Sequence, residues 1–364
     1  MNVIFRTDAS LDIGIGHVMR CLTLAQALSD LGANCRFICR EHTGNLLDII
    51  RQRSFEVQSL SIKYSSQVNL VQQSVQGERV LPHAAWLGVD WQTDAEETKN
   101  VIGDGVVDWL IVDHYALDIQ WENYLKPYYK KLMVIDDLAD RNHCCDLLLD
   151  QTYGRDKKDY LKLTPPDCEL LLGSQYALLR PEFSEWREYS LKRRTVPKFE
   201  KLLITLGGVD PDNITGQILD ALKGCDLPKE IEIIVVLGST GPHKDRVQQQ
   251  VIKMPYKTIV KIGINNMAEI MANADIAIGA SGSTTWERCC LGLPSIQVVL
   301  AENQNIISES VRNVGASLSI KLDDLNNGIC DQFKVIVNEY KKIAINSSKI
   351  TNGMGVFQVL YYLK

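Results

Sequence analysis

The chain has 364 residues, of which 45% are apolar and 23% are charged, with a formal net charge of −6. Such a chain is globular in composition and too long for one ordinary core, so we expect two domains. The negative charge argues against nucleic acid or an anionic membrane as the main partner. No segment is apolar enough to predict a membrane helix. The first residues do not have the pattern of a signal peptide, so we expect the protein to be cytoplasmic.

The first half of the chain alternates short apolar runs with amphipathic stretches. Continuous apolar runs of this length are typical of parallel strands that are buried on both faces. We predict strands at Val3–Asp8, Cys35–Cys39, Glu56–Leu60, Trp109–Asp113, Met133–Asp136, Leu147–Asp150 and Leu170–Leu172. Between the first two, an amphipathic stretch predicts a helix at Val18–Leu31, which Gly32 ends.

Residues 182–201 are rich in polar and charged residues and contain proline, and we interpret them as a linker. The second half then resumes the alternation. We predict strands at Leu202–Leu206, Glu232–Leu237, Ile259–Ile262, Ile276–Ile278 and Ser295–Val299, with helices between them. Both halves are therefore predicted to be doubly wound α/β domains, at 1–190 and 198–364, with the ligand in a cleft between them beyond the carboxyl ends of the strands.

A glycine turn carries a histidine where the first strand gives way to the first helix. Gly14 and Gly16 allow a sharp turn and a close approach to a ligand, and His17 follows in the first turn of the helix. The positive end of the helix dipole favours a neutral imidazole, which makes His17 a candidate general base. The alternative is a capping or packing histidine, and the G-x-G spacing alone is weak evidence for a nucleotide site.

Two further turns follow strands of the second half. The segment "LGGVDPDN" contains Gly207 and Gly208, with Asp212 or Asn213 as the expected helix cap, and either holds a phosphate or sugar or is a plain turn. The segment "ADIAIGASGSTTWERCCLGLP" gathers small and hydroxyl residues at a helix start, which predicts a phosphate site. Its members are Ser281, Gly282, Ser283 and Thr284. Glu287 is placed to accept hydrogen bonds from two ribose hydroxyls, and an ordinary capped helix with a surface Glu is the alternative.

Other polar residues at strand ends are weaker candidates. Asp113 is placed to accept a hydrogen bond or to orient a base, whereas Asp136 and Asp137 are better explained as loop charges or caps than as magnesium ligands, so we predict no metal site. The ten cysteines include no pairs with zinc spacing, and we expect most of them to be reduced and buried.

Taken together, these segments resemble a known family from about residue 3 to residue 360. In the same order, seven segments resemble those of the UDP-2,4-diacetamido-2,4,6-trideoxy-β-L-altropyranose hydrolases of pseudaminic acid biosynthesis. They are "RTDASLDIGIGHVMRCLTLAQAL", "WLIVDHYALD", "VIDDLADR", "LLLDQTYGR", "YALLRPEF", "LLITLGGVDPDN" and "IGASGSTTWERCCLGLP". The second half also resembles the nucleotide-binding half of the peptidoglycan N-acetylglucosaminyltransferase. The resemblance implies the GT-B architecture, with two Rossmann-like domains.

The resemblance also implies roles for individual residues. The enzyme would hydrolyse the anomeric C–O bond of the UDP-sugar with inversion, with His17 as the base that activates water. The turn at Ser281–Thr285 would hold the diphosphate, Glu287 the ribose, Ile264 and Met267 the uracil, and Asn303 would lie near the diphosphate and sugar. Tyr176 and the loop near Asp113 are expected to contact the sugar. No cofactor or metal is expected.

Two other functions stay open at this stage. A glycosyltransferase of the same architecture would use an acceptor hydroxyl in place of water, and a nucleotide-sugar-binding protein would not turn the ligand over. The expected partner in each case is a UDP-sugar, without nucleic acid or membrane, and we expect a monomer or weak oligomer.

Overall fold

The computed structural model describes residues 1–62 and 81–364, which divide into two compact units. The first unit comprises Met1–Gln151, Arg155–Leu172 and Val359–Lys364, and the second comprises Thr152–Gly154 and Gly173–Gln358. Each unit is built on one sheet. Among the described residues, no helix has the length and apolar character needed to cross a membrane.

The first unit contains a sheet of seven parallel strands. The strands are β1 (Asn2–Thr7), β2 (Asn34–Arg40), β3 (Glu56–Leu60), β4 (Val107–Asp113), β5 (Tyr129–Ile135), β6 (Leu147–Asp150) and β7 (Glu169–Leu172), and the helices are α1 (Gly16–Asp30), α2 (Leu47–Gln52), α3 (Trp91–Ile102) and α4 (Ile119–Leu125). Their order in the sheet is β3-β2-β1-β4-β5-β6-β7. All seven predicted strands are therefore present, and β1 lies beside β4.

The core of the first unit contains apolar strand residues and also buried charged side chains. Ile4, Leu110 and Leu148 are buried in it, as expected for strands covered on both faces. Arg6 of β1 is also fully buried. Its guanidinium donates to Asp8 at 2.7 Å and to Asp94 at 2.6 Å, so its charge is neutralised inside the core.

The second unit contains a sheet of six parallel strands. The strands are β8 (Lys201–Thr205), β9 (Glu232–Leu237), β10 (Lys257–Ile262), β11 (Ile276–Ala280), β12 (Ser295–Val299) and β13 (Leu318–Lys321), in the order β10-β9-β8-β11-β12-β13. The helices are α5 (Pro181–Arg193), α6 (Ile214–Leu222), α7 (Lys244–Val251), α8 (Met267–Asn273), α9 (Thr284–Cys290), α10 (Asn305–Asn313), α11 (Leu325–Asn338) and α12 (Tyr340–Ser348). The division between the units falls within the last helix, α13 (Gly355–Tyr362), whose residues from Val359 onward are counted with the first unit. Five of these strands were predicted, and β13 was not.

The segment predicted as a linker is instead a helix of the second unit. Helix α5 occupies most of residues 182–201, and two arginines from this segment donate to main-chain carbonyl groups of the same unit. Arg187 donates to Ser348 at 2.7 Å, and Arg194, which is buried, donates to Ala274 at 2.8 Å. The charged side chains that indicated a linker therefore form hydrogen bonds within the second unit.

The cysteines are mostly free, with one exception. Cys225 and Cys330 form a disulfide although they are 105 residues apart in the sequence. The other eight are free, and six of them are buried. The expectation of reduced cysteines thus holds for most of them, whereas the disulfide was not predicted because nothing in the local sequence brings its two partners together.

Candidate active site

The loop between β1 and α1 is closed by its own hydrogen bonds. The amide of Gly14 donates to the carbonyl of Ser10 at 2.9 Å, and the Ser10 hydroxyl accepts from the amide of Ile13 at 2.9 Å. Gly14 has a φ of 78°, a conformation that side chains rarely adopt, so glycine is required there. The turn ends at Gly16, the first residue of α1, and thereby fixes the position of His17.

His17 lies at the start of α1 and is paired with a carboxylate. Its residue exposure is 8%, and its Nδ1 lies 2.5 Å from Oδ1 of Asp113. Asp113 is the last residue of β4 and pairs with Thr7 of β1, so the parallel sheet brings it next to the glycine loop. Because a carboxylate accepts hydrogen bonds, Nδ1 carries the proton, and the lone pair of a neutral imidazole then lies on Nε2.

Arg20 keeps Asp113 ionised. It lies one turn beyond His17 on α1, and its Nε and Nη2 donate to the two oxygens of Asp113 at 2.6 and 2.7 Å. Burial would raise the pKa of Asp113, but the charges and hydrogen bonds of Arg20 and His17 outweigh it and hold that pKa well below its usual range. The partner of His17 is therefore an anion.

Arg20 and two aromatic rings complete the surroundings of His17. Nη1 of Arg20 donates to Asp137 at 2.6 Å, and the hydroxyl of Tyr115 donates to the same oxygen at 2.8 Å. The ring of Tyr115 meets His17 edge-on at 4.6 Å between centroids, and Trp86 stacks on Tyr115 at 5.8 Å. These contacts hold the imidazole in one orientation.

The sequence missed Arg20, Tyr115 and Trp86 as parts of this cluster. One signal was available for Arg20, because residues three apart on a helix share a face and a cation beside the His17 position follows from that spacing. Tyr115 stands two residues after Asp113 but has no pattern of its own, and Trp86 comes from a short helical turn between distant elements.

The two aspartates after β5 pair with different arginines. Asp136 accepts from Arg141 at 2.8 Å and from the amides of Leu138 and Ala139, whereas Asp137 faces Arg20. Burial would raise the pKa of Asp136, but Arg141 and these hydrogen bonds lower it below its usual range. The two carboxylates are thus neutralised by arginine, as part of the framework around His17.

In the second unit, the glycine-serine turn connects β11 to α9. Ser281 is fully buried, and both its amide and its hydroxyl point to the carbonyl of Val298, at 3.2 and 3.4 Å. Gly282, Ser283 and Thr284 are only partly buried. Ser281 therefore anchors the turn to β12, and the next three residues are the ones that a ligand can reach.

Glu287 lies on α9 with 18% of its side chain exposed. Its Oε1 is 3.8 Å from Nη2 of Arg180, which also binds Glu182 at 2.8 Å. Burial raises the pKa of Glu287, while the charges of Arg180 and Arg288 oppose this rise. Glu287 is thus a partly accessible carboxylate, and its ion pair with Arg180 is long.

The loop after β8 is tightly packed against the loop after β9. Gly207 has a φ of 92°, and a Cβ on Gly238 would lie 1.8 Å from the carbonyl oxygen of Gly208. Asn213 is the N-cap residue of α6, which is one of the two predicted alternatives, but its side chain makes no capping hydrogen bond. Asp210 instead accepts from the amides of Ile214 at 2.7 Å and Thr215 at 2.9 Å. The reason is that Asn213 adopts a left-handed conformation and the chain turns back over Asp210.

The remaining predicted residues also belong to the second unit. Ile264 follows β10, Met267 begins α8, Asn303 lies in a short helical turn after β12, and Tyr176 lies in another before α5. All four are partly buried. His17 and Asp113 are thus brought together in the first unit, whereas Tyr176, expected on the sugar side with them, is part of the second unit.

The sequence is similar to those of known proteins that act in carbohydrate metabolism or biosynthesis, as their names state. Residues 202–356 match the glycosyltransferase family 28 C-terminal domain. Over 88% of its length the chain is 27% identical to the UDP-2,4-diacetamido-2,4,6-trideoxy-β-L-altropyranose hydrolase of Campylobacter jejuni, all of which is covered. It is also 29% identical to the spore coat polysaccharide biosynthesis protein SpsG of Bacillus subtilis, over 53% of this chain and 57% of that protein.

The fold is shared with solved glycosyltransferase structures. MurG of Acinetobacter baumannii superposes with a TM-score of 0.67 at 14% identity, covering 100% of this chain and 99% of that one. The chain therefore has the GT-B fold, matches the glycosyltransferase family 28 C-terminal domain over residues 202–356 and is similar to the altropyranose hydrolase over most of its length.

Proposed function

We propose that the protein hydrolyses a UDP-linked 2,4-diacetamido-2,4,6-trideoxy sugar of altro configuration to UDP and the free sugar, as a step of pseudaminic acid biosynthesis. The observation that carries this proposal is the pairing of His17 with the ionised Asp113 in the first unit. The similarity to a hydrolase with this substrate supports the choice of UDP-sugar.

The proposed base is Nε2 of His17. Water attacks the anomeric carbon while the C–O bond to the diphosphate breaks, and the bonding electron pair leaves with UDP. The proton of the attacking water passes to Nε2, and Asp113 stabilises the imidazolium that forms. Attack from the face opposite the leaving group inverts the anomeric carbon.

The second unit would bind UDP in this proposal. The amides and hydroxyls of Gly282–Thr284 are donors suited to a departing diphosphate, since they are preorganised and partly accessible. Glu287 would accept hydrogen bonds from two ribose hydroxyls. The remaining assignments follow the family: Ile264 and Met267 for uracil, Asn303 near the diphosphate, and Gly207 and Gly208 for close backbone approach.

The direct test is to incubate the purified protein with the UDP-diacetamido sugar and follow both products. We expect stoichiometric UDP and free sugar, with the first-formed anomer inverted when observed by NMR before mutarotation. UDP-N-acetylglucosamine in a parallel reaction is the control for substrate configuration, and a protein that releases no UDP from the altro sugar contradicts the proposal.

A glycosyltransferase is the second candidate, because the family 28 domain and the fold are shared with glycosyltransferases. The two reactions differ in the nucleophile. Turnover in ¹⁸O-labelled water places the label on the anomeric oxygen of the product if water attacks directly. UDP release that depends on an added acceptor, with no labelled sugar, favours the transferase, and UDP-sugar binding without any turnover favours a binding protein.

A further inference from the structure

Arg288 is a fully buried arginine directly beneath the glycine-serine turn. It lies on α9, next to Glu287 in sequence, but Glu287 is near Arg180 instead. Among the described residues, no carboxylate forms an ion pair with its guanidinium, and its Nε has no hydrogen-bond partner. Burying a charge without a counter-ion costs free energy, so a role for Arg288 must account for its position.

The guanidinium is held by the residues of the turn itself. Nη2 donates to the carbonyl of Ala280 at 2.8 Å and to the Thr285 hydroxyl at 3.1 Å, and Nη1 donates to the Thr284 hydroxyl at 3.2 Å. A Cβ on Gly279 would lie 2.5 Å from Nη1, so glycine at that position makes room for the cation. The chain from 279 to 285 is therefore shaped around Arg288.

These contacts orient the two threonine hydroxyls. A guanidinium has only donors, so each hydroxyl that receives a hydrogen bond from it acts as the acceptor and keeps its own proton for another partner. Thr284 is partly exposed. Burial lowers the pKa of Arg288 to about 10, so the side chain remains charged at neutral pH.

We propose that Arg288 is a positioning residue for the diphosphate of the substrate: through Thr284 it turns a hydroxyl donor toward the diphosphate, through the buried Thr285 it fixes the turn, and it supplies the counter-charge from beneath. The inference rests on the proposed function, since it takes UDP to be the ligand of this turn. The anion itself would then complete the ion pair that Arg288 lacks in the described structure.

Arg194 offers a matched control within the same unit. It is also buried, and its guanidinium donates to the main-chain carbonyls of Leu291, Ala274 and Met271 at 2.8 to 2.9 Å. It makes no hydrogen bond to the residues of the turn. Replacing each arginine by methionine removes a buried cation in both cases, but only Arg288→Met removes it from the turn.

The test compares UDP with uridine, which lacks the diphosphate, in binding measurements on the full chain. We expect Arg288→Met to weaken UDP binding about 30-fold and to leave uridine binding unchanged, because charge-assisted hydrogen bonds to the diphosphate are lost. Arg288→Lys, which keeps the charge, should recover part of the loss. Arg194→Met should alter the affinities for UDP and uridine by the same factor.

The outcomes separate this inference from the proposed function. If the wild type binds UDP and Arg288→Met retains its full preference for UDP over uridine, the role of Arg288 is overturned while UDP binding stands. Equal losses for UDP and uridine also overturn it, because they indicate a structural role. A wild type that binds no UDP overturns both.

Discussion

His17 depends on a residue that is 96 positions away in the sequence, Asp113, for its tautomer and its orientation. If Nε2 is the base, a side chain of similar size without a basic nitrogen removes the proton acceptor and little else. We expect His17→Gln to lower kcat by about 10²- to 10⁴-fold, the usual contribution of a general base. The affinity for UDP should be unchanged, since UDP is assigned to the second unit.

Rate measurements with the UDP-sugar and calorimetric titration with UDP check this prediction. A His17→Gln enzyme that keeps the wild-type kcat would remove His17 from the role of base. A parallel loss of UDP affinity would instead indicate that the substitution disturbs more than the reacting centre.

Glu287 and Glu182 provide a matched pair around one arginine. Both lie near Arg180, but only Glu287 is assigned to the ribose. Glu287→Gln should weaken UDP binding about 10-fold, because hydrogen bonds to a charged acceptor contribute roughly 1.5–3 kcal/mol. Glu182→Gln should leave it unchanged. Binding of 2′,3′-dideoxy-UDP to the wild type gives the same comparison from the ligand side, and equal effects of the two substitutions would contradict the assignment.

At the residue scale, the sequence could predict individual positions but not their partners. His17 stands out because it follows two glycines at a strand-to-helix junction, and Asp113 because it ends a strand. That they touch depends on β1 lying beside β4 in the sheet, although β2 and β3 come between these two strands in the chain. Tyr115 joins the cluster through the same three-dimensional proximity, which a single sequence does not contain, whereas the spacing of Arg20 from His17 on one helix was the one signal available.

At the scale of elements, the cap of α6 is the feature that the structure changes most clearly. Both oxygens of Asp210 accept amide hydrogen bonds at the helix start, whereas the side chain of Asp212 is exposed. Asp210→Ala should destabilise the second unit by about 1 kcal/mol, the typical cost of losing a helix cap. Asp212→Ala is the control and should have no measurable effect.

Thermal unfolding followed by circular dichroism checks this prediction, since a change of 1 kcal/mol shifts Tm by roughly 2–4 °C in a domain of this size. Equal shifts for the two variants would show that Asp210 does not act as the cap.

Strands were predicted best where the burial of continuous apolar residues determines their position. The central strands are continuous apolar runs, so their pattern is visible without knowledge of the fold. Strand β13, with the alternating sequence Leu-Ser-Ile-Lys, is partly exposed and gave no such signal. Helix α5 was taken for a linker because its residues are largely polar and charged. The sequence alone does not show that an arginine such as Arg187 donates to the carbonyls of other elements.

At the scale of the whole molecule, buried carboxylates with lowered pKa values are concentrated in the first unit. Burial would raise the pKa of each, but the charges of neighbouring arginines outweigh it at Asp8, Asp94, Asp113 and Asp136. In the second unit, burial raises the pKa of Glu287. The fully buried carboxylates whose pKa values arginines lower thus lie in the first unit, whereas the pKa of Glu287 in the second unit shifts the other way.

The sign of the effect follows from proton linkage. A carboxylate with a folded pKa below its unfolded value of about 3.9 stabilises the fold fully above that pH, and its contribution is lost as the pH falls toward the folded pKa. Each such group contributes roughly 1.4 kcal/mol for every unit by which the two pKa values differ. Glu287 acts in the other direction, since its protonation is favoured in the folded state.

We therefore expect the first unit to lose stability before the second as the pH is lowered from about 5 toward 2. Hydrogen exchange measured at several pH values, corrected for the intrinsic exchange rate, reports both units in one sample. Peptides from Met1–Gln151 should lose protection at a higher pH than peptides from Gly173–Gln358. Simultaneous loss in both, or earlier loss in the second unit, would mean that the paired carboxylates around Arg6 and Arg20 do not set the acid stability of the molecule.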